Sequence, residues 1–499
     1  MKKSLFCLLL ATLLLFGLSG CSGLPGKPQP SGETAAPSAE TEAPVTGAEI
    51  TLNGDSASSR ARGVSISDGV VTITAPGEYV VRGTLKDGRI IVNTAGKAGD
   101  VLLTLDGADV TCLSDSAIYV AQADEVDIVL APGSRNRVVS GTEADAAAHN
   151  EQSNGAAIFS EDDLDIKGEG ALEIFGYINN GVTCKDDLCL KGGEITVFAA
   201  NNGLRASESV QISGGTISVT AGNDGVKATS AAKEGKGFVT ISGGSLTVSC
   251  PGDGVSAETE LTVSDGYVEI RTAGGDAVTS SKGLKAKTGL TVSGGKLVID
   301  SFDHCLRSAA DMTIAGGSIS AVSADGKGLS AEGALLISGG DLSVWSVSDG
   351  VFSEISLVVQ GGAISVSAGK DGLKAGSKGT GFEAPVGAIS IEGGEIRVSA
   401  AEDPIDAKES LRVSGGSILA VGYSKALKSF ASDSEQYFLA FSFGGAKQNT
   451  VTISESGAEL MSLVADYGFN SVLFSSPELR GGASYTVSNG IGSMNQPLT

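Results

Sequence analysis

Between residues 157 and 429 apolar and small polar positions alternate in short bursts, and glycine closes each burst. The unit is clearest at Asn202-Gly-Leu-Arg-Ala, followed by Val210-Gln-Ile-Ser-Gly-Gly-Thr-Ile-Ser-Val219. It returns from Asp224 to Val248 and from Asp349 to Val366. Alternation with period two marks a strand with one buried face. Gly-Gly pairs begin at Gly192, Gly214, Gly243, Gly294, Gly316, Gly339, Gly361, Gly393 and Gly415, and Asp265-Gly266 fills the one gap. Most successive spacings are 22 residues, with longer steps where loops are inserted. A fixed period of this kind is the signature of a solenoid.

Three apolar columns follow from that register. One runs Leu190, Ile212, Ile241, Val263 and on to Val413. A second runs Leu172, Ile195, Ile217 and on to Ile418. The third lies two residues further on, from Ile174, Val197 and Val219 to Ala420. A short strand after each Asx-Gly corner supplies Val182, Leu204, Val226, Val255, Leu329, Val351 and Leu373. Stacked coils would bury each column and pair each strand with its equivalent one coil on, at a rise of about 4.8 Å. Gly-Gly supplies a corner at positive φ. The expected fold is all-β: a parallel β-helix solenoid with three short strands per coil of about 22 residues. Crossover rules favour the right-handed form.

The flanks differ from this pattern. Residues 48–156 are β-rich but out of register, and are expected to form an N-terminal β cap and first coils; 141–156 is a polar, Ala-rich loop. Regular coils are expected over 157–429. Lys/Gly-rich inserts near 230–237, 275–289 and 376–387 are expected to leave one common corner. Residues 430–499 bring in Phe430, Tyr437, Phe438, Phe441, Phe443, Phe469 and Phe474, and are expected to form a C-terminal β cap.

Composition narrows the setting. The 499 residues carry a net charge of −23, which disfavours nucleic acid and anionic lipid surfaces as partners. Lys2-Lys3, an apolar run from Leu5 to Leu18 and Leu18-Ser-Gly-Cys21 read as a lipoprotein leader over 1–20, cleaved before a lipidated Cys21. Residues 21–47 are a Pro/Ser/Glu/Thr-rich disordered tether. The chain is then expected to be a monomer at the extracellular face of a bacterial membrane, anchored only by lipid. Cys112, Cys184, Cys189, Cys250 and Cys305 match no metal spacing and read as small buried hydrophobes.

Two sets of residues can carry chemistry. The column before each corner glycine is Asn180, Asn202, Asp224, Asp253, Lys282, His304, Lys327, Asp349, Asp371, Asp403 and Lys425, with Asp303 beside His304. Carboxylates stacked one coil apart repel unless something lies between them, and carboxylate, amide and carbonyl oxygens at a turn suit Ca²⁺. The expected metal ligands are Asn202, Asp224, Asp253, Asp303, Asp349, Asp371 and Asp403. The bland reading is that Asx-Gly simply makes the turn. The second set is aromatic: Phe175 and Phe198 share one outward position in consecutive coils, Trp345 has it further along, and Tyr177 lies two residues beyond Phe175. Sugar rings stack on such side chains, and the alternative is coverage by a loop. Asp162-Asp163, Asp186-Asp187, Glu258, Glu332 and Glu354 read as solvated surface. Lys227, Lys285 and Lys374 follow corner residues and are the candidate bases if there is a reaction.

The stretches Ala157-Ile-Phe-Ser-Glu-Asp-Asp-Leu-Asp-Ile-Lys-Gly, Tyr177-Ile-Asn-Asn-Gly-Val-Thr-Cys-Lys-Asp-Asp-Leu and Asn223-Asp-Gly-Val-Lys resemble a family of secreted bacterial carbohydrate-binding β-helix proteins, common in clostridia and their relatives. So do Gly83 to Gly88 and Ser475-Ser-Pro-Glu-Leu. The resemblance covers about residues 48–490. It implies a pectate-lyase-like fold, calcium, and binding of plant cell-wall polysaccharide such as cellulose or acidic pectin, without established lyase activity. The leading expectation is a non-catalytic, surface-tethered carbohydrate binder using Ca²⁺. A calcium-dependent polysaccharide lyase is the alternative, and a structural or adhesive surface protein is the third reading.

Overall fold

The computed structural model describes residues 45–148, 155–231, 233–274, 280–377, 387–446, 449–489 and 493–497. The expected leader, Cys21 and nearly all of the expected tether lie outside them, as does His149.

The chain is all-β, dominated by parallel pairing. Each strand of the repeat pairs with its equivalent one coil later. Leu190 lies opposite Ile212, Ile212 opposite Ile241, and Ile241 opposite Val263. The second and third columns follow the same register, through Leu172, Ile195 and Ile217 and through Ile174, Val197 and Val219. These side chains are buried in one continuous core. The period-two pattern is therefore read out directly: every second residue enters the stack, and its neighbours one coil up and down are apolar, mostly β-branched or Leu, with Met312, Ala321 and Ala420 among them.

The three rows make two sheets. In four consecutive coils the first and second rows are one 13-residue strand, as in Asp187–Ala199 and Ser209–Ala221. In later coils they separate, as in Gly289–Val292 and Lys296–Ser301. The third row, from Asn180–Cys184 through Leu204–Ala206 and Val226–Ala228 to Ile405–Ala407, forms the other sheet. Leu284, Leu306 and Ile405 belong to it as well. The second glycine of each pair turns the chain between rows. Gly215 sits at φ 85°, and a Cβ there would lie 2.9 Å from the Gly193 carbonyl oxygen of the preceding coil. Coils this close exclude any side chain at that corner.

The parallel ladder reaches back to Val45–Gly54, which pairs with Gly77–Leu85; that strand pairs in turn with Val101–Cys112. Val70–Ile73 and Gly77–Leu85, which flank Pro76, lie in different sheets. Glu143–Ala148, read from sequence as loop, is a short helix capped by Thr142 and Asp145. The three inserts do not share one corner. Those at 230–237 and 376–387 follow third-row strands, whereas the third lies between Glu260–Thr272 and Leu284–Ala286, on the Asx side. The reason is that Lys282 keeps its place in the corner column, so the extra residues must precede it. Beyond Gly422 pairing turns antiparallel. Phe469–Ser475 lies between Ser417–Gly422 and Phe438–Ala446, over a separate core that includes Val451, Ile453, Phe469, Phe474 and Tyr485. Cys112, Cys184, Cys250 and Cys305 are buried free thiols, and burial pushes Cys250 and Cys305 up to about 12. Among the described residues no helix is long and apolar enough to cross a membrane.

Candidate functional site

The corner column is a hydrogen-bond ladder. Each side-chain oxygen accepts the backbone N–H of the corner residue one coil later. Asn180 accepts from Asn202 at 3.0 Å, Asn202 from Asp224 at 3.3 Å, and Asp224 from Asp253 at 2.7 Å. Asp253 accepts from Lys282 at 3.0 Å, Asp349 from Asp371 at 3.4 Å, and Asp371 from Asp403 at 3.1 Å. Asp403 takes the Ser424 hydroxyl instead. Where His304 stands in the column, its Nδ1 accepts the Lys327 N–H at 2.9 Å. Burial pushes the His304 pKa down to about 4, so the ring is neutral at pH 7 and its 3.0 Å approach to Asp303 is not an ion pair. Asx or neutral His supplies the corner acceptor in these coils, whereas Lys282 and Lys327 hold the same position with a side chain that can only donate.

The second carboxylate oxygen of most acids meets a lysine. Lys227 reaches Asp224 at 2.6 Å, Lys285 reaches Asp253 at 2.7 Å and Lys282 reaches Asp303 at 2.6 Å. Lys327 holds Asp349, and Lys374 reaches Asp371 at 2.6 Å. Stacked carboxylates are thus relieved of repulsion by ammonium groups threaded between coils. With one oxygen on a backbone N–H and the other on a lysine, Asp224, Asp253, Asp349 and Asp371 do not present the six to eight free oxygen ligands that Ca²⁺ takes. The candidate bases are committed to the same pairs. Burial works to lower the Lys374 pKa, but Asp371, Asp349 and Asp406 outweigh it and hold the ammonium above its usual range. A protonated, ion-paired lysine cannot take a proton at neutral pH.

A different acidic group converges. Carboxylate oxygens of Glu125, Asp127 and Asp165 lie within 4.8 Å of one another. The strands Glu125–Leu130 and Asp163–Gly168 pair with Asp127 opposite Asp165, which brings the acids onto one face. Burial, then Asp165 and Asp127, push Glu125 up to about 7. Lys167 lies 2.6 Å from Asp127, and Lys191 holds Asp165. The donors are all oxygen, which suits a hard cation. The sequence signal is present in the acid–apolar–acid alternation at Glu125-Val126-Asp127 and Asp163-Leu164-Asp165, but both stretches precede the first Gly-Gly pair at Gly192. The acids at Asp163, Asp187, Glu258, Glu332 and Glu354 accept local hydrogen bonds or pair with Lys and Arg.

The aromatic residues do come together. Phe175 lies directly opposite Phe198 in adjacent strands. Tyr177 stacks on Phe175 with ring centres 5.6 Å apart and tilts against Phe198 at 5.5 Å. The Arg137 guanidinium sits 5.0 Å over Phe175. Phe198 is 36% exposed, so the cluster has an open face. Trp345 occupies the same row six coils on, through Thr220, Ser249, Arg271, Asp300 and Val322, which places it about 29 Å away at about 4.8 Å per coil. It is 42% exposed, and Val322, directly opposite it in the preceding coil, is exposed as well.

The model of one family matches the chain over residues 67–328 and 323–471, under the description carbohydrate-binding domain-containing protein. A curated relative from Acetivibrio thermocellus with the same description is 35% identical over 195 residues, 38% of this chain. The match spans 65% of that relative's length. A solved structure of a polysaccharide lyase-like protein from C. thermocellum, a gadolinium derivative, is 34% identical, covers 47% of this chain and 95% of its own, and has a TM-score of 0.43. Through the family match, which spans most of its length, the chain belongs to the carbohydrate-binding domain-containing proteins.

Proposed function

We propose that the protein binds polysaccharide without turning it over, from the outer face of a bacterial membrane to which a lipidated Cys21 holds it. The ligands that fit are plant cell-wall chains such as cellulose or acidic pectin. The observation that carries the reading is the ring cluster of Phe175, Tyr177 and Phe198, open to solvent in a family whose members are described as carbohydrate-binding. Aromatic faces offer broad contact to the C–H faces of sugars at low conformational cost. Trp345 on the same row gives a long glycan a second foothold. We further infer that the stacked coils wind as a right-handed parallel β-helix, because a parallel crossover in the other hand is rare.

Calcium is part of the proposal, at Glu125, Asp127 and Asp165 rather than along the corner column, because three carboxylates converge there; the ion would displace Lys167 and Lys191 from Asp127 and Asp165. There it would tie two adjacent coils together. Ca²⁺ is then expected to raise the melting temperature of the wild type, as any ligand of the native state does, and to leave Glu125→Gln unchanged. An equal shift in both proteins contradicts that placement.

The function is tested by retention of the chain on insoluble cellulose and on immobilised polygalacturonate, in Ca²⁺ and in EDTA, while ultraviolet absorbance reports unsaturated products. Retention with flat absorbance supports a binder. Rising absorbance replaces it with a lyase, and retention on neither glycan leaves a structural role.

A further inference from the structure

The third-row sheet carries a file of outward residues that runs Tyr119, Phe159, Thr183, Arg205, Lys227, Ser256, Lys285, Arg307, Ser330, Phe352 and Lys374. Its cations meet acids almost everywhere. Lys227, Lys285 and Lys374 pair with corner aspartates, and Arg307 pairs with Glu332 of the next coil. Arg205 differs. Among the described residues its guanidinium has no carboxylate and no hydrogen-bond partner, although the side chain is half-buried.

The cause lies in two positions. The corner residue three before Arg205 is Asn202, an amide, where Lys227 and Lys374 have Asp224 and Asp371. The place that Glu332 takes beside Arg307 is held here by Thr229, whose hydroxyl turns to the Ala206 carbonyl at 3.3 Å. Both sources of neutralising charge are missing from this one coil, in a chain with a net charge of −23. Desolvation pushes the Arg205 pKa down, with no nearby acid opposing it.

The location adds to this. Strand Asp187–Ala199 presents Phe198 and then turns through Ala200, Asn201, Asn202 and Gly203 into Leu204–Ala206. The coil before it presents Phe175 and Tyr177 and turns through Asn179 and Asn180. The aromatic cluster therefore lies on one side of the corner, the unpaired guanidinium on the other, and the all-amide stretch of the column between them. Rings, amides and a bare guanidinium meet in the same two coils.

We propose that Arg205 is a carboxylate-recognition site, taking the carboxyl group of an acidic sugar whose chain rests on Phe175, Tyr177 and Phe198. The inference rests on the carbohydrate-binding reading above and adds to it a direct contact that needs no bridging metal. A planar guanidinium engages a carboxylate through two parallel N–H donors, so charge and geometry both select for acid over neutral sugar.

The test compares wild type, Arg205→Gln and Arg205→Lys, all in EDTA, for affinity toward an oligogalacturonate and a neutral cello-oligosaccharide by calorimetry. Arg205→Gln is expected to lose about tenfold or more on the acidic ligand and to stay within about twofold on the neutral one. Arg205→Lys is expected to recover part of the loss, because it keeps the charge and not the fork. Equal affinity of Arg205→Gln and wild type for the acidic ligand overturns the site. So does an equal loss on both ligands, which would mark Arg205 as structural. Wild type that binds the neutral ligand and not the acidic one overturns the carboxylate site alone; wild type that binds neither overturns the binding reading along with it.

Discussion

In the coils at Asn180 and Asn202 the corner column is made of amides; at Asp224, Asp253, Asp349 and Asp371 it is made of carboxylates. Both versions do the same structural work, accepting one backbone N–H from the next coil. They differ in what remains. An amide ladder is neutral and asks for no cation, so Arg205 is left over across the corner from the rings. A carboxylate ladder carries charge into a buried column and is stable only with lysines drawn in to match it. The repeat thus holds two kinds of coil on one backbone, one charge-closed and one with a cation to spare.

The largest expected effect comes from breaking a closed coil. Asp253→Ala removes the acceptor for the Lys282 N–H and the partner of Lys285, and should cost about 3 kcal/mol in chemical denaturation. Asp253→Asn keeps the acceptor and loses only the charge pair, for about 1 kcal/mol because Lys285 is partly exposed. Equal losses would mean that the ladder hydrogen bond contributes nothing.

His304 offers a pH test of the same column. Its imidazole is neutral in the folded chain, with Asp303, Lys282, Arg307 and Lys327 around it, and its pKa lies near 4 against 6.5 for the free side chain. The unfolded chain therefore takes up the proton first. Stability is full above pH 6.5 and is lost as pH falls toward 4, by about 3 kcal/mol. His304→Asn keeps an acceptor for Lys327, as Asn202 does for Asp224, and should flatten that part of the stability–pH curve. An unchanged slope would rule His304 out as its source.

Converting one kind of coil into the other sharpens the comparison further. Asn202→Asp places a carboxylate three residues before Arg205, as Asp224 stands before Lys227. Acidic-glycan affinity should fall about tenfold while neutral-glycan affinity holds. The smallest effects belong to single rings. Phe198→Ala and Trp345→Ala should each weaken retention on cellulose about fivefold, with unfolding midpoints near wild type because both side chains are exposed.

Much of the fold is legible in the sequence because one rule is repeated. Ile212 must face Ile241 once the Gly-Gly corners are aligned, and a slip of one residue would turn the whole column outward. The corner column was legible as well, since Asx precedes glycine in coil after coil. What lay hidden was the partnership of that column. Lys227 stands three residues from Asp224, but Lys285 meets Asp253 across 32 residues, with the chain back in register at Lys282. Acids that look free in a list of residues are spoken for in space, which is why the corner column suggested metal and holds lysine instead. Glu125, Asp127 and Asp165 were obscured for the opposite reason: they stand in early coils whose register has no Gly-Gly mark. Arg205 needed both views, the register to place it and the pairing of its neighbours to show that it has no acid.

Hydroxyl-radical footprinting of the chain with and without polygalacturonate reads the two kinds of coil in one measurement. Protection is expected at Tyr177 and Phe198, beside the amide stretch, and not at Tyr267, a half-buried ring in the coil between Asp253 and Lys282 among the carboxylate corners. Protection at Tyr267 with none at Tyr177 and Phe198 would place the glycan on the charge-closed coils and contradict the account.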